Sequence, residues 1–163
     1  MTLAAFDPLE ILKTLARHGV KFVIIGGIAG RLWGSTTVTN DLDICYARDA
    51  ENLKALAAAL AELRVRLRGV HRDLPFVTDA RTLKMGDAFT FTTVAGNFDI
   101  VGNPAGSNGY ESLARTATEM DVGGVTVLVA AIEDLILMKR TAGRPKDLIE
   151  VEVLAAVREE LQK

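Results

Sequence analysis

Cysteine is almost absent from this chain. Cys45 is the single one in 163 residues, which excludes an internal disulfide and leaves no cysteine-based metal cluster. Its neighbours Ile44 and Tyr46 place it in an apolar strand, the setting of a buried, inert thiol. Histidine is as scarce: His18 and His71 stand alone and receive neither a metal nor a catalytic role. An excess of positive charge is also missing. The net charge is −2, so no global basic field attracts nucleic acid, and an RNA contact would need a local patch. The longest apolar runs, 22–30 and 122–132, are too short and glycine-rich to span a bilayer. Residues 1–10 carry acid early and lack a basic segment followed by a cleavage site, so a cytoplasmic protein with no membrane partner is expected. Repeats, low-complexity tracts and linkers are lacking too. The expectation is one domain over residues 1–163, long enough to bury a core.

What is present reads as alternating helices and strands. Asp7-Pro8 opens a helix in which Leu9, Leu12, Leu15 and Ala16 recur at helical spacing until His18-Gly19. Residues 20–25 form a continuous apolar run, as in a strand covered on both faces. Gly26-Gly27 breaks it, 28–33 read as a short helix, and 42–47 read as a second strand. Asp49 caps a long helix with Leu53, Leu56, Leu60, Leu63 and Leu67 on one face. Its tail, Arg64-Val65-Arg66-Leu67-Arg68, also alternates with period two, so helix and strand both stay open there. Residues 87–94 and 98–101 read as a hairpin about Ala95-Gly96-Asn97, 103–108 as a loop, and 119–129 as a hairpin about Gly123-Gly124. A helix over 131–142 ends at Gly143, and Arg144-Pro145-Lys146-Asp147 opens a last one reaching Leu161. The order predicts an α/β (α+β) chain: a mixed β-sheet flanked by helices, with a C-terminal helical pair.

Chemistry concentrates in a few places. Asp41 and Asp43 lie two apart on a strand, so both carboxylates share a face while Leu42 and Ile44 turn to the core. Paired carboxylates suit a hard divalent cation that keeps open positions for phosphate oxygens; taken bare, they read first as two solvated aspartates at a strand start. Gly26-Gly27 follows a strand and opens a helix, where absent Cβ atoms and a helix N-terminus favour phosphate, although a plain tight turn has the same look. Asp99, between Phe98 and Ile100, could take a proton from an attacking hydroxyl or complete a two-metal site, or be an exposed hairpin acid. Lys139 could neutralise triphosphate charge with Asp147 orienting it, and both also read as ordinary helix-end charges. Arg31, one turn past the glycines, could meet phosphate or simply be solvated. Arg64, Arg66, Arg68 and Arg72 form the strongest basic cluster; without interleaved aromatics it reads first as a solvated face. Trp33 reads as core.

These residues, in this order, resemble the nucleotidyltransferase-fold (polymerase-β-like) superfamily. The hallmark is an apolar strand, Gly-Gly or Gly-Ser, a short interval, then Asp-apolar-Asp-apolar. Here it is Ile25-Gly26-Gly27 and Asp41-Leu42-Asp43-Ile44, with a third carboxylate in Phe98-Asp99-Ile100. Glu133-Asp134-Leu135-Ile136 with Lys139, then Arg144-Pro145-Lys146-Asp147-Leu148, looks like small bacterial members of the AbiEii or MenT type. The resemblance implies transfer of a nucleoside monophosphate from an NTP to a hydroxyl. It implies Mg²⁺, or Mn²⁺ in its place, on Asp41, Asp43 and Asp99, catalysis by the same three, and nucleotide binding by Gly26, Gly27, Arg31, Lys139 and Asp147. Gly27 departs from the common Gly-Ser; Ser35, Thr36 and Thr37 are nearby hydroxyls that could substitute. The acceptor expected is tRNA, in a toxin of a toxin–antitoxin pair, with a cognate antitoxin as partner. The alternatives are a protein acceptor, as in antitoxins that nucleotidylate a partner toxin, a small molecule such as an aminoglycoside or lincosamide, and a nucleotide-binding or interaction module without turnover.

Overall fold

The computed structural model describes residues 5–69, 76 and 78–163. Seven helices and seven strands follow one another among these. The first helix, α1 (Pro8–Arg17), starts where Asp7 accepts from the Glu10 N–H and Pro8 supplies a preset φ. It leads into β1 (Phe22–Ile25), buried at every position. Then come α2 (Gly26–Trp33), β2 (Asp41–Tyr46), α3 (Ala50–Glu62), β3 (Arg66–Leu67), α4 (Ala80–Met85), β4 (Ala88–Thr93) and β5 (Gly96–Val101). The chain closes with α5 (Tyr110–Thr116), β6 (Thr118–Val122), β7 (Val125–Val129), α6 (Ile132–Ala142) and α7 (Pro145–Leu161).

One sheet collects all seven strands in the order β3-β4-β5-β2-β1-β7-β6. It is mixed: β1 runs antiparallel to β2 and parallel to β7, and β2 runs parallel to β5. The helices divide into two groups. Helix α2 packs on β1, β2 and α6, and α6 packs along α7, whereas α3 packs on α1 and α4. Leu42, Ile44, Tyr46, Phe98, Leu53, Leu56 and Leu60 are buried almost without remainder. Each such side chain contributes roughly 1.5–3 kcal/mol of transfer free energy, which holds β2 and β5 at a fixed register.

The structure departs from the expected boundaries in three places. Helix α3 stops at Glu62, Arg64 takes φ +52, and Arg66–Leu67 pair with Thr92 and Phe91 of β4. Leu67 therefore belongs to an edge strand, and period two prevails over period 3.6. The first hairpin turns at Val94-Ala95, one residue early, because Gly96 (φ +108) has already joined the ladder opposite Thr93. Helices α4 and α5, six and seven residues long, are too short to have imposed a periodicity on the sequence.

Candidate active site

Register builds the site. Ile25 of β1 sits opposite Asp43 of β2, and Asp43 sits beside Asp99 of β5. Asp41, one pleat away, neighbours Asn97, whose Nδ2 donates to Asp41 Oδ1 at 3.1 Å. Alternation along β2 leaves Asp41 and Asp43 half-buried while Leu42 and Ile44 go fully into the core. The three carboxylates that the sequence singled out thus share one face of the sheet, next to the start of α2.

Gly26 has a steric reason as well as an electrostatic one. Its φ is +70, and a Cβ there would lie 2.3 Å from Asp43 Oδ2. At Gly27 a Cβ would lie 2.9 Å from the Thr39 side chain. The glycines thus let the Asp43 carboxylate and the strand-entry loop close onto the helix start. Helix α2 itself begins without a capping side chain and without an acid in its first turn. Helices α1, α3 and α4, by contrast, each have an aspartate at the N-cap. The N–H groups of α2 are left facing the site, where an anion is favoured.

Burial pushes the Asp43 carboxyl up to about 7, helped by the nearby charges of Asp99 and Asp41 and opposed by Lys139. Asp99 is raised too, again by burial, while its bond to Arg68 pulls the other way. Arg68 Nη2 donates to Asp99 Oδ1 at 2.6 Å and Nη1 to the Phe91 carbonyl at 2.7 Å. One member of the expected basic cluster is therefore a partner of the third carboxylate. Arg64 and Arg66 are exposed, and Arg72 and His71 lie outside the described residues. Among the described residues no three His, Cys, Asp or Glu side chains are grouped as a ready-made metal cage.

Across from the carboxylates stands the junction of α6 and α7. Gly143, left-handed at φ +67, ends α6 and lets Arg144 open α7. Asp147 is buried beneath it, with Arg144 Nε at 2.6 Å, Lys139 Nζ at 3.5 Å, and the Arg144 N–H at 3.2 Å. The Arg144 guanidinium holds the Asp147 carboxyl below the usual carboxylate range. Asp147 consequently acts on Lys139 and Arg144 and aims them.

Two residues have roles that the sequence did not assign. Glu150, buried one turn after Asp147, accepts from Ser35 Oγ at 2.9 Å and from Thr37 Oγ1 at 2.5 Å. It ties the loop before β2 to α7 and occupies two of the three hydroxyls considered as substitutes for serine. Its i+3 spacing from Asp147 was the available signal. Arg144 was visible as part of the tail motif but received no role. Arg31 Nη1 donates to the carbonyls of Thr37 at 3.1 Å and Thr36 at 3.5 Å, and Arg31 lines neither of the two cavities over the site. Trp33 packs against the core and donates from Nε1 to the Ala130 carbonyl. Cys45 is buried and pushed up to about 12 by that burial.

Two cavities meet over this floor, with Asp43, Asp99, Lys139, Arg144 and Asp147 in both. One, about 320 Å³, extends past Gly27, Thr39, Asp41 and Lys146. The other, about 290 Å³, runs under α6 and along β4 and β5. Beyond the shared floor the first adds Lys146 and polar side chains, and the second adds hydrocarbon.

No protein-family profile matches the chain, and no curated protein matches its sequence. Solved structures do. The chain is similar to the lincosamide antibiotic adenylyltransferase LnuA in its lincomycin-bound crystal structure, with 15% identity over 94% of this chain and 99% of that one and a TM-score of 0.63. The solution structure of the antibiotic-resistance factor ANT(2'')-Ia shares 19% identity over 95% and 91%, with a TM-score of 0.53. A Thermotoga maritima protein with a provisional nucleotidyltransferase assignment shares 16% over 98% and 96%, with a TM-score of 0.51. At this identity the likeness is one of architecture. The mixed sheet and its helices have the nucleotidyltransferase fold.

Proposed function

We propose that this chain is a nucleotidyltransferase, moving a nucleoside monophosphate from an NTP to a hydroxyl acceptor. The observation that carries this reading is the register of Asp41, Asp43 and Asp99 on adjacent strands at the uncapped start of α2, with Lys139 and Arg144 aimed across from them. The fold shared with a lincosamide adenylyltransferase supports the same reaction class.

Asp41 and Asp43 fit a hard divalent cation. Two carboxylates in a half-buried place, one raised to about 7 by burial and by its neighbours, need a proton or a cation between them. Mg²⁺, or Mn²⁺, held there would polarise the α-phosphate and stabilise the departing charge. The first N–H groups of α2 and the Lys139 and Arg144 side chains bind the triphosphate, and Asp147 orients the two cations. Asp99 accepts the proton of the attacking hydroxyl, with Arg68 fixing its carboxylate. The Lys139 and Arg144–Asp147 tail supports a place among the small AbiEii or MenT-type members.

One assay tests the reaction and sorts the acceptors. The protein is incubated with each α-labelled NTP and Mg²⁺ in the presence of total tRNA, lysate protein or small hydroxyl compounds. Label in RNA supports the toxin reading, and label in a protein supports the antitoxin-type reading. Asp41→Ala and Asp43→Ala are expected to abolish labelling with the fold retained. Unchanged labelling in both would overturn the metal-site assignment.

A further inference from the structure

Beyond the shared floor, the cavity under α6 offers a polyanion no cation among the described residues. Its walls beyond the shared floor are Phe89, Ile100, Val101, Pro104, Leu135 and Met138 with smaller neutral residues. Among the described residues, no charged side chain lines it outside the shared floor. The Phe89 wall is fixed. Its ring is stacked with Phe91 at 6.0 Å and met edge-on by Phe76 at 5.4 Å. Gly86 makes room for it, since a Cβ there would lie 2.4 Å from Phe89 Cζ. Asp99 opens onto this cavity from β5, beside Ile100 and Val101.

In-line displacement sets the nucleophile and the leaving group on opposite sides of the phosphorus. Lys139 and Arg144 stand on the floor common to both cavities, and the cavity past Gly27 alone adds Lys146, so it suits the pyrophosphate. The hydroxyl must then approach from the other side, and the apolar cavity offers that side with Asp99, which lines both cavities, still within its reach. Arg68, which bonds Asp99 and the Phe91 carbonyl, lines neither cavity.

We infer that the acceptor is a small molecule carrying its reactive hydroxyl on an apolar body, which the cavity lined by Phe89, Ile100, Leu135 and Met138 receives. This rests on the nucleotidyl-transfer reading above. The alcohol oxygen bonds to the α-phosphorus as the bond from that phosphorus to the pyrophosphate oxygen breaks. The alcohol proton passes to Asp99, and pyrophosphate leaves through the polar cavity.

The test uses two alcohols of similar reach, cyclohexylmethanol and glycerol, with α-labelled NTP, Mg²⁺ and the full chain; total tRNA is a third acceptor. The expected result is label on cyclohexylmethanol at a rate about 10-fold or more above glycerol, as an apolar pocket gives per few methylenes, with tRNA unlabelled. Equal rates with the two alcohols, including none with either, overturn the inference, and so does label on tRNA. Met138→Lys adds a second arm: transfer to cyclohexylmethanol falls about 10-fold or more while the NTP Kd stays within about twofold. If that variant loses NTP affinity in step with transfer, the cavity holds the nucleobase and the inference fails. The comparison of alcohols needs only the wild-type chain, so it stands even where the variant does not fold. Absence of NTP binding by the wild type is a separate outcome, and it sinks the nucleotidyl-transfer reading itself.

Discussion

The cavity past Gly27 and the cavity under α6 share a floor and differ in how they are made. The first is walled by the loop before β2, the start of α2 and the start of α7, and Glu150 pins that loop to α7 through Ser35 and Thr37. Its groups are dipoles and charges already engaged with one another, so they are preset in direction before a ligand arrives. The second is walled by α6, β4 and β5, held by ring packing and by backbone pairing. A preset polar wall fixes where charge goes. An apolar wall fixes only size and shape, so it selects a partner by what it excludes.

The floor itself is asymmetric, and the largest expected effect breaks it. Asp43→Asn should remove transfer by about 10²–10³-fold or more. The same change should stabilise the metal-free protein. With its pKa raised to about 7, Asp43 holds a proton in the folded state that the unfolded chain releases above about 3.8. Stability therefore falls as pH rises through that window, and asparagine escapes the fall. Thermal melts in chelator should show a higher Tm for Asp43→Asn at pH 8, with the gap closing toward pH 4. A lower Tm at pH 8 would contradict the electrostatic account.

Gly26→Ala comes next. A side chain at φ +70 costs about 1–2 kcal/mol, and the contact with Asp43 adds to it. For a chain of this size each kcal/mol lowers Tm by roughly 2–4 °C. Calorimetry should find the loss, and NTP binding should go with it, because Asp43 must move. Asp147→Asn is smaller and opposite in pH dependence to Asp43→Asn. Asp147 is depressed by Arg144, so its contribution is complete above the usual carboxylate range and disappears as pH falls through its lowered pKa. Arg144 is 61% exposed, which discounts the pair to about 1 kcal/mol. The urea-melt difference between wild type and variant should be largest near pH 7 and should vanish on the acid side of pH 4. The smallest effect belongs to Arg31→Ala. Its guanidinium holds the carbonyls of Thr36 and Thr37, so the KM for NTP should stay within about twofold, with a stability loss of about 0.5–1 kcal/mol. A tenfold rise in KM would return Arg31 to the phosphate.

Much of the first cavity was legible in the sequence because it follows local rules. Glycine after a buried strand, aspartates two apart on the next strand, and a glycine-to-proline junction between helices are all short-range patterns. Each one fixes a backbone direction. Asp99 was legible as a residue and not as a neighbour, since the pairing of β2 with β5 joins positions 56 apart in the chain. Arg68 could not be read, because its segment satisfied helical and strand periodicity at once. Only the presence of Thr92 and Phe91 as ladder partners decided the matter. Glu150 looked like one more acid in a charged helix until the loop before β2 folded over it.

The sequence by itself determined the strand–glycine–helix entry, the two carboxylates on one face, the order of elements and the cationic junction ahead of α7. These follow from steric limits on φ, from the alternation of a strand and from the period of a helix, which act within a few residues. Tertiary structure alone decided that Asp99 lies beside Asp43, that Arg68 holds Asp99, that Arg31 turns to the loop, and that α6 roofs an apolar cavity over β4 and β5. Those are contacts between distant segments. They are set by which buried faces fit together, and no short stretch of chain carries that information.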